Sequence, residues 1–342
     1  MVEAWLYHSE EWLPVIFLMI MALSMLAYVI LDGYDLGVGL FLPWVPDDEQ
    51  TLMIGSIGPF WDANETWLVL GVGILLVAFP SAHGAILTAL YLPVALMLLG
   101  LILRGVSFEF RTKAPLYFKQ TWTYLFFLGS ALATWSQGYM LGSLVLGLNL
   151  TLWGHFFAAL VGLSFFAAYA WVGAGWLIMK TTGPLQLKAV RWSKWALLGC
   201  AVGVGMISVA TPLASSLVFN KWFQPEVLPL LLPIPLMTLA FFAIAWRSLS
   251  RLPVRLSTQN EYGIWVPFFC TLAIFCLSFY GLAYSFFPYV VPGEMTVWEA
   301  AASKEALTII LVGAVVVLPV IITYTILSYR VFHGKAEPLS YE

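Results

Sequence analysis

Residues 12–42 read WLPVIFLMIMALSMLAYVILDGYDLGVGLFL. About 20 apolar residues cross a bilayer as a helix, so this run exceeds one crossing. It ends on two aspartates, Asp32 and Asp35, set among glycines. Backbone facing lipid must satisfy its hydrogen bonds internally, which makes the run helical. It has neither a basic leader before it nor a small-residue cleavage site after it, so it is expected to be a retained span and not a signal peptide. Carboxylates inside such a run cost several kcal/mol at bilayer depth, and they mark the first place to look for function.

The rest of the chain is of the same kind. Of 342 residues, 61% are hydrophobic and 10% charged, with a mean hydropathy of +0.91; a soluble domain carries roughly 25% charged residues. A net charge of -3 without a basic block excludes a nucleic-acid partner. The composition predicts an all-α polytopic membrane protein whose surroundings are the lipid bilayer. Nine spans are expected, near 12–42, 57–79, 84–105, 122–147, 153–179, 190–210, 227–247, 262–286 and 304–330. They should form two four-helix bundles plus one peripheral helix, with 1–150 as the first bundle, 151–185 as the peripheral fifth helix and 186–342 as the second bundle. No soluble domain or flexible linker separates them.

Thirteen of the fifteen basic residues fall in the loops after odd-numbered spans and at the C-terminus, and only Lys221 and Lys304 fall opposite. The positive-inside rule then puts the N-terminus outside and the C-terminus in the cytoplasm. Cys200, Cys270 and Cys276 lie in apolar runs without a C-x-x-C pair and are expected to be core packing. His8, His83, His155 and His333 are scattered, with no metal-binding spacing. Glycines four apart, as at Gly33 and Gly37, Gly138 and Gly142, and Gly199 and Gly203, suit close helix contacts. Trp5, Trp12, Trp44, Trp122, Trp153, Trp222 and Trp298 sit near span ends, as an interfacial belt would.

A second acidic segment, IGPFWDANETWL (57–68), carries Asp62 and Glu65. With the first span running inward and the second outward, Asp32, Asp35, Asp62 and Glu65 all lie toward the cytoplasmic half. The third span brings Arg104 and Glu109 to that depth, where they are expected to make a structural ion pair. Residues three apart share a helix face and differ by about 4.5 Å in height. Asp32 with Asp35 and Asp62 with Glu65 are thus expected as two vertical carboxyl pairs. Two such carboxyls in low dielectric cannot both ionise cheaply, which suits one of them to carry protons. A purely structural reading uses the same residues: Arg104 neutralises one carboxylate, a helix start near Pro59 caps another, and the charges set helix register. Spacing leaves both open.

These segments resemble the hallmark sequences of subunit II of the cytochrome bd-type quinol oxidases, the group that includes the cyanide-insensitive terminal oxidases. The D-G-F-D-x-G-V-G pattern of that family is matched by Asp32, Gly33, Tyr34, Asp35, Gly37, Val38 and Gly39. Its P-x-W-D-G-N-x-x-W-L pattern is matched by Pro59, Trp61, Asp62, Asn64, Trp67 and Leu68. GVGILLVAFP (71–80), LILRGVSFEFR (101–111) and VWEAAASKEALT (297–308) resemble family segments in the same order. Ala63 replaces a motif glycine, and Thr66 stands where an apolar residue is common.

The resemblance implies nine helices, an outside N-terminus, the bacterial cytoplasmic membrane and a haem-bearing partner, subunit I. Haems b and d and the main quinol-binding loop would belong to that partner, and this chain would supply no haem ligand and no metal site. A small single-span accessory subunit is compatible with the assembly. The complex would oxidise quinol, reduce dioxygen to water and build a proton gradient. By resemblance Asp62 lines a proton route from the cytoplasm, and Trp67, with Trp61 nearby, corresponds to an apolar dioxygen route in some members; on composition alone both tryptophans are core residues. The competing reading is an ion-coupled transporter, which also uses intramembrane carboxylates. Pro229, Pro233 and Pro235 interrupt the seventh span, but the second half has no matching acidic cluster.

Overall fold

The computed structural model describes residues 9–148 and 150–337, so Trp5 and His8 lie outside the described residues. The 12–42 run is helix α1, Ser9–Gly39. A short 3-10 turn, Leu42–Trp44, leads into α2, Asp47–Ile57, which begins with three acidic residues. Then come α3 Trp61–Ala78, α4 Pro80–Ala89, α5 Tyr91–Lys113, α6 Leu116–Val145 and α7 Leu152–Lys180. The second half contains α8 Gly183–Ala214, the short α9 Ser216–Trp222 and α10 Leu228–Leu231, then α11 Pro233–Ser257 and α12 Val266–Phe286. A two-stranded antiparallel hairpin, β1 Tyr289–Val291 and β2 Met295–Thr296, precedes α13 Val297–Ala300 and α14 Lys304–Val331.

Eight of these helices are long and apolar enough to cross a membrane. The ninth long helix, α6, has 30 residues, about 45 Å at 1.5 Å per residue. Its hydropathy is lowered by Ser130, Thr134, Ser136 and Gln137, all of them buried against neighbouring helices. Polar residues that face protein cost far less than polar residues that face lipid. The expected span at 84–105 is displaced: the chain breaks at Leu90, and the crossing runs from Tyr91 to Lys113. Pro93 explains the break, because it has no N–H to donate to the Ala89 carbonyl.

The main helix contacts are α5 with α6, α1 with α3 and α6, α11 with α12 and α8, and α7 with α8, α6, α1 and α12. Helix 152–180, expected as a peripheral helix, packs on several sides within this chain. Among the candidate spans α7 is the most enclosed within this chain, with 39% of its most apolar window buried, whereas α14 has 6% and packs mainly against α1 and α3. The reason is side-chain size. Gly173 meets α1 at Gly37, where a Cβ on Gly37 would sit 1.9 Å from the Tyr169 carbonyl oxygen. Gly162 meets Gly138 on α6, and Gly175 meets Phe268 on α12. A helix carrying small residues on several faces can be packed from several sides. α14 presents Ile309, Val312, Val315, Val316 and Val320 outward.

Of the cysteines, Cys200 and Cys270 are buried as expected, but Cys276 is exposed on α12. At one end of the bundle the 289–302 segment closes over α1 and α3: Ala302 N donates to Ala78 O at 2.8 Å, and Trp298 Nε1 to Glu11 O at 2.9 Å. Here the Thr296 backbone amide holds the Glu299 carboxyl below its ordinary range, in a capping box. The opposite end is basic. Arg111 reaches Asp47 (2.7 Å) and Gln50 (2.8 Å) of α2, and Lys188 reaches Glu49 (2.7 Å). Lys180 donates to the carbonyls of Phe332 and Gly334, and Lys335 pairs with Glu261 at 3.0 Å.

The α1–α7 crossing predicts a contrast between two glycines. Gly37→Ala should destabilise the protein by about 3 kcal/mol, since backbone and not a flexible side chain must move. Gly73→Ala, which meets nothing within 4 Å, should not lower the melting temperature in detergent. Thermal unfolding of both variants checks this.

Candidate functional site

Asp32 and Asp35 lie on the same face of α1, one turn apart, and neither is exposed to solvent. From α5 the Arg104 guanidinium, itself 2% exposed, donates through Nη1 to Asp32 Oδ1 at 2.5 Å. Its Nη2 donates to Glu65 Oε1 on α3. One arginine therefore ties three helices together. Such a buried, paired charge is stable only while its partners remain.

Asp35 belongs to the same cluster through an amide. Asn64 Nδ2 donates to Asp35 Oδ2 at 2.8 Å and to the Tyr34 hydroxyl at 2.9 Å. The Tyr329 hydroxyl of α14 donates to Asn64 Oδ1 at 3.1 Å and lies 2.6 Å from the Tyr34 hydroxyl. A further buried chain starts one turn back on α1: Gln137 Nε2 donates to the Tyr28 hydroxyl at 2.8 Å, and the Tyr169 hydroxyl donates to Gln137 Oε1 at 2.6 Å. Among the described residues, Asp32 Oδ2, Asp35 Oδ1 and Arg104 Nε have no hydrogen-bond partner.

The expected residues are thus gathered unevenly. Asp32, Asp35, Glu65 and Arg104 converge. Asp62 does not join them; it lies on the exposed face of α3, near enough to Glu65 to feel its charge. The expected Arg104–Glu109 ion pair is absent, and Glu109 instead pairs with Lys113 at 3.6 Å on the surface. Five residues of helix turn a side chain about 140° from the starting face, so Glu109 cannot share Arg104's partners. Trp61 packs on Phe108 with ring centroids 5.2 Å apart, and the Trp67 indole nitrogen is buried without a partner among the described residues. His155 bonds to Tyr139 through Nδ1 at 2.6 Å on an exposed surface. Among the described residues no three or more His, Cys, Asp or Glu residues group as a metal site.

Sequence reasoning missed Asn64, Tyr34 and Tyr329 as members of the cluster. Asn64 stood in a recognised motif and offered a polar side chain at depth. Tyr329 gave no signal, because 265 residues separate it from Asn64.

The fold and the cluster define a multi-pass membrane protein that holds three carboxyls against one arginine within its helices. A family model for cytochrome bd terminal oxidase subunit II matches residues 13–332, and the chain belongs to that family. It is 27% identical to the cytochrome bd-I ubiquinol oxidase subunit 2 of Escherichia coli strain K12 over 363 residues, covering 95% of each chain. Identity to the cytochrome bd ubiquinol oxidase subunit 2 of Bacillus subtilis strain 168 is 26%, covering 94% of this chain and 97% of the relative. A chain of the bd oxidase structure from Geobacillus thermodenitrificans superposes with a TM-score of 0.70 at 18% identity, over 94% of this chain and 98% of that one, which speaks to the fold.

Replacing Arg104 by Gln should strand Asp32 and Glu65, at a cost of about 3–5 kcal/mol. The yield of assembled complex should fall sharply, and the additional change Asp32→Asn should restore part of it. Quantifying the membrane-inserted, co-purifying chain checks both.

Proposed function

We propose that this chain is the haem-free subunit of a cytochrome bd-type quinol oxidase, and that its acidic cluster relays protons from the cytoplasm toward haems b and d in subunit I. The complex would take electrons from quinol and reduce dioxygen to water; quinol oxidation and the haem chemistry belong to the partner. Family membership supports the assembly, and the relatives, named as ubiquinol oxidase subunits, support the substrate class. The basic end faces the cytoplasm in this reading, since all but two of the lysines and arginines gather in loops of one side.

One observation carries the proton reading: three carboxyls gather around a single guanidinium that bonds to only two of them, Asp32 and Glu65, while Asp35 is held by Asn64. With Arg104 compensating one negative charge, full ionisation would leave two negative charges uncompensated, so the cluster holds protons in its resting state. Asp32 bonds directly to Arg104, whereas Asp35 meets only a neutral donor and is the member that would carry a proton. Arranged by the rise of α3, Asp62 lies nearest the basic end and Glu65 one turn deeper. Protons would pass from Asp62 to Glu65 and then to the Asp32–Asp35 pair.

The exposed face of α3 supports a partner there. Asp62 is followed along that face by Glu65 at 27% exposed, by Val69 and Leu76, and by the open Gly73. A carboxylate facing lipid is costly, and covering this face with subunit I removes that cost. Trp61 and Trp67 are packing residues in this reading.

The test uses the whole purified oxidase. Asp62→Asn and Asp35→Asn should each lower quinol oxidase turnover and proton uptake at least tenfold while haem content and spectra stay as in the parent, a loss of about 1.4 kcal/mol or more in the barrier. Full turnover and full proton uptake in both variants would refute the relay. Purification of the tagged chain without any haem-containing partner would refute the oxidase assignment and favour the transporter.

A further inference from the structure

The hydrogen bonds around Asn64 form a closed ring with one consistent direction. Tyr329 donates to Asn64 Oδ1, so its own proton is committed, and the 2.6 Å contact between the phenols must be a donation from Tyr34 to Tyr329. Tyr34 then accepts from Asn64 Nδ2. The two amide N–H groups face two further acceptors, Asp35 Oδ2 at 2.8 Å and the Leu31 carbonyl at 3.2 Å. The hydroxyls can reverse, but the Leu31 carbonyl can only accept, and turning the amide over would set Oδ1 against it. That carbonyl fixes which way Asn64 points, and the two phenols follow.

A carboxylic acid that accepts a hydrogen bond on one oxygen carries its proton on the other. With Oδ2 occupied by Asn64, the proton of Asp35 belongs on Oδ1, which is buried and has no partner among the described residues. The other carboxylate oxygen without a partner among the described residues is Asp32 Oδ2, three residues back on the same helix face. The charged or titratable groups around this pair are Arg104 on α5, Glu65 on α3, Tyr28 and Tyr34 on α1, Tyr169 on α7 and Tyr329 on α14.

We propose that Tyr329, carried by the peripheral helix α14, is a positioning residue: through Asn64 it holds the Asp35 carboxyl so that its proton sits on Oδ1, on the side of Asp32. Transfer then breaks the Oδ1–H bond of Asp35 and forms an O–H bond at Asp32 Oδ2, with no other atom displaced. The inference rests on the proton-relay reading above. It also gives a role to a helix that this chain otherwise hardly buries. Tyr329 reaches the ring because its own ring stacks on Phe60 at 4.6 Å, beside Trp176.

Tyr329→Phe removes the hydroxyl and keeps that stacking. The measurement is infrared difference spectroscopy of the purified oxidase, reading the carbonyl stretch that Asp35→Asn abolishes. The band should shift in Tyr329→Phe, with turnover lowered about fivefold and haem content unchanged. Should Tyr329→Phe fail to assemble, Tyr34→Phe breaks the same ring and should shift the same band. A band that stays in place in the assembled variant overturns the positioning role, as does the absence of any carbonyl band sensitive to Asp35→Asn. A band that shifts while Asp35→Asn turns over at the parent rate upholds the positioning and refutes the relay instead.

Discussion

A guanidinium buried among membrane helices is tolerable only while carboxylates face it, and this constraint organises the first half of the molecule. Arg104 meets Asp32 from α1 and Glu65 from α3. The three helices must therefore hold one register, because sliding any of them by a turn would separate charges that cannot find water. α6 adds to this by lying close: a Cβ on Gly129 would come within 2.8 Å of the Arg104 backbone nitrogen. The charge cluster and the close helix packing depend on each other, since only tight packing keeps the site dry and only the ion pairs make dryness affordable.

Around that centre, the fold uses side-chain size to decide which helix is inside. α7 crosses the middle of the chain because glycines and alanines let α1, α6, α8 and α12 approach it on several sides. Large aromatic residues then fill what remains: Trp171 stacks on Phe242, and Trp176 stacks on Tyr34 at 4.2 Å. The second stack matters for the site. It joins α7 to α1 at the tyrosine that completes the ring around Asn64, so the two helices are coupled at the functional cluster. Arg111 and its partners do similar work at the basic end by holding α2 against α5.

Much of this was legible in the chain. The acidic residues stood out because apolar surroundings make any charge conspicuous, and Asp32, Asp35, Glu65 and Arg104 do converge. Glu109 was legible only as a charge at the right depth; its helix face, set by its five-residue offset from Arg104, turned it outward. Asp62 was paired with Glu65 by spacing, yet the same helix rotation that buries part of Glu65 leaves Asp62 open. How closely 152–180 packs within the chain was not legible in hydropathy, which measures how well a residue tolerates lipid or protein without telling the two apart. The small residues of 152–180 carried the missing signal.

The sequence by itself determined that this is a helical membrane protein, where its crossings fall to within about three turns, and that acids and one arginine would meet at one depth. Periodicity and transfer energy are local properties, readable from each segment alone. Only the tertiary structure decided which helix lies at the centre, which carboxyl takes the arginine, and that Tyr329 closes the ring on Asn64. Those outcomes depend on rotation and approach between helices distant in the chain, and a helix's own sequence sets its faces but not what each face meets.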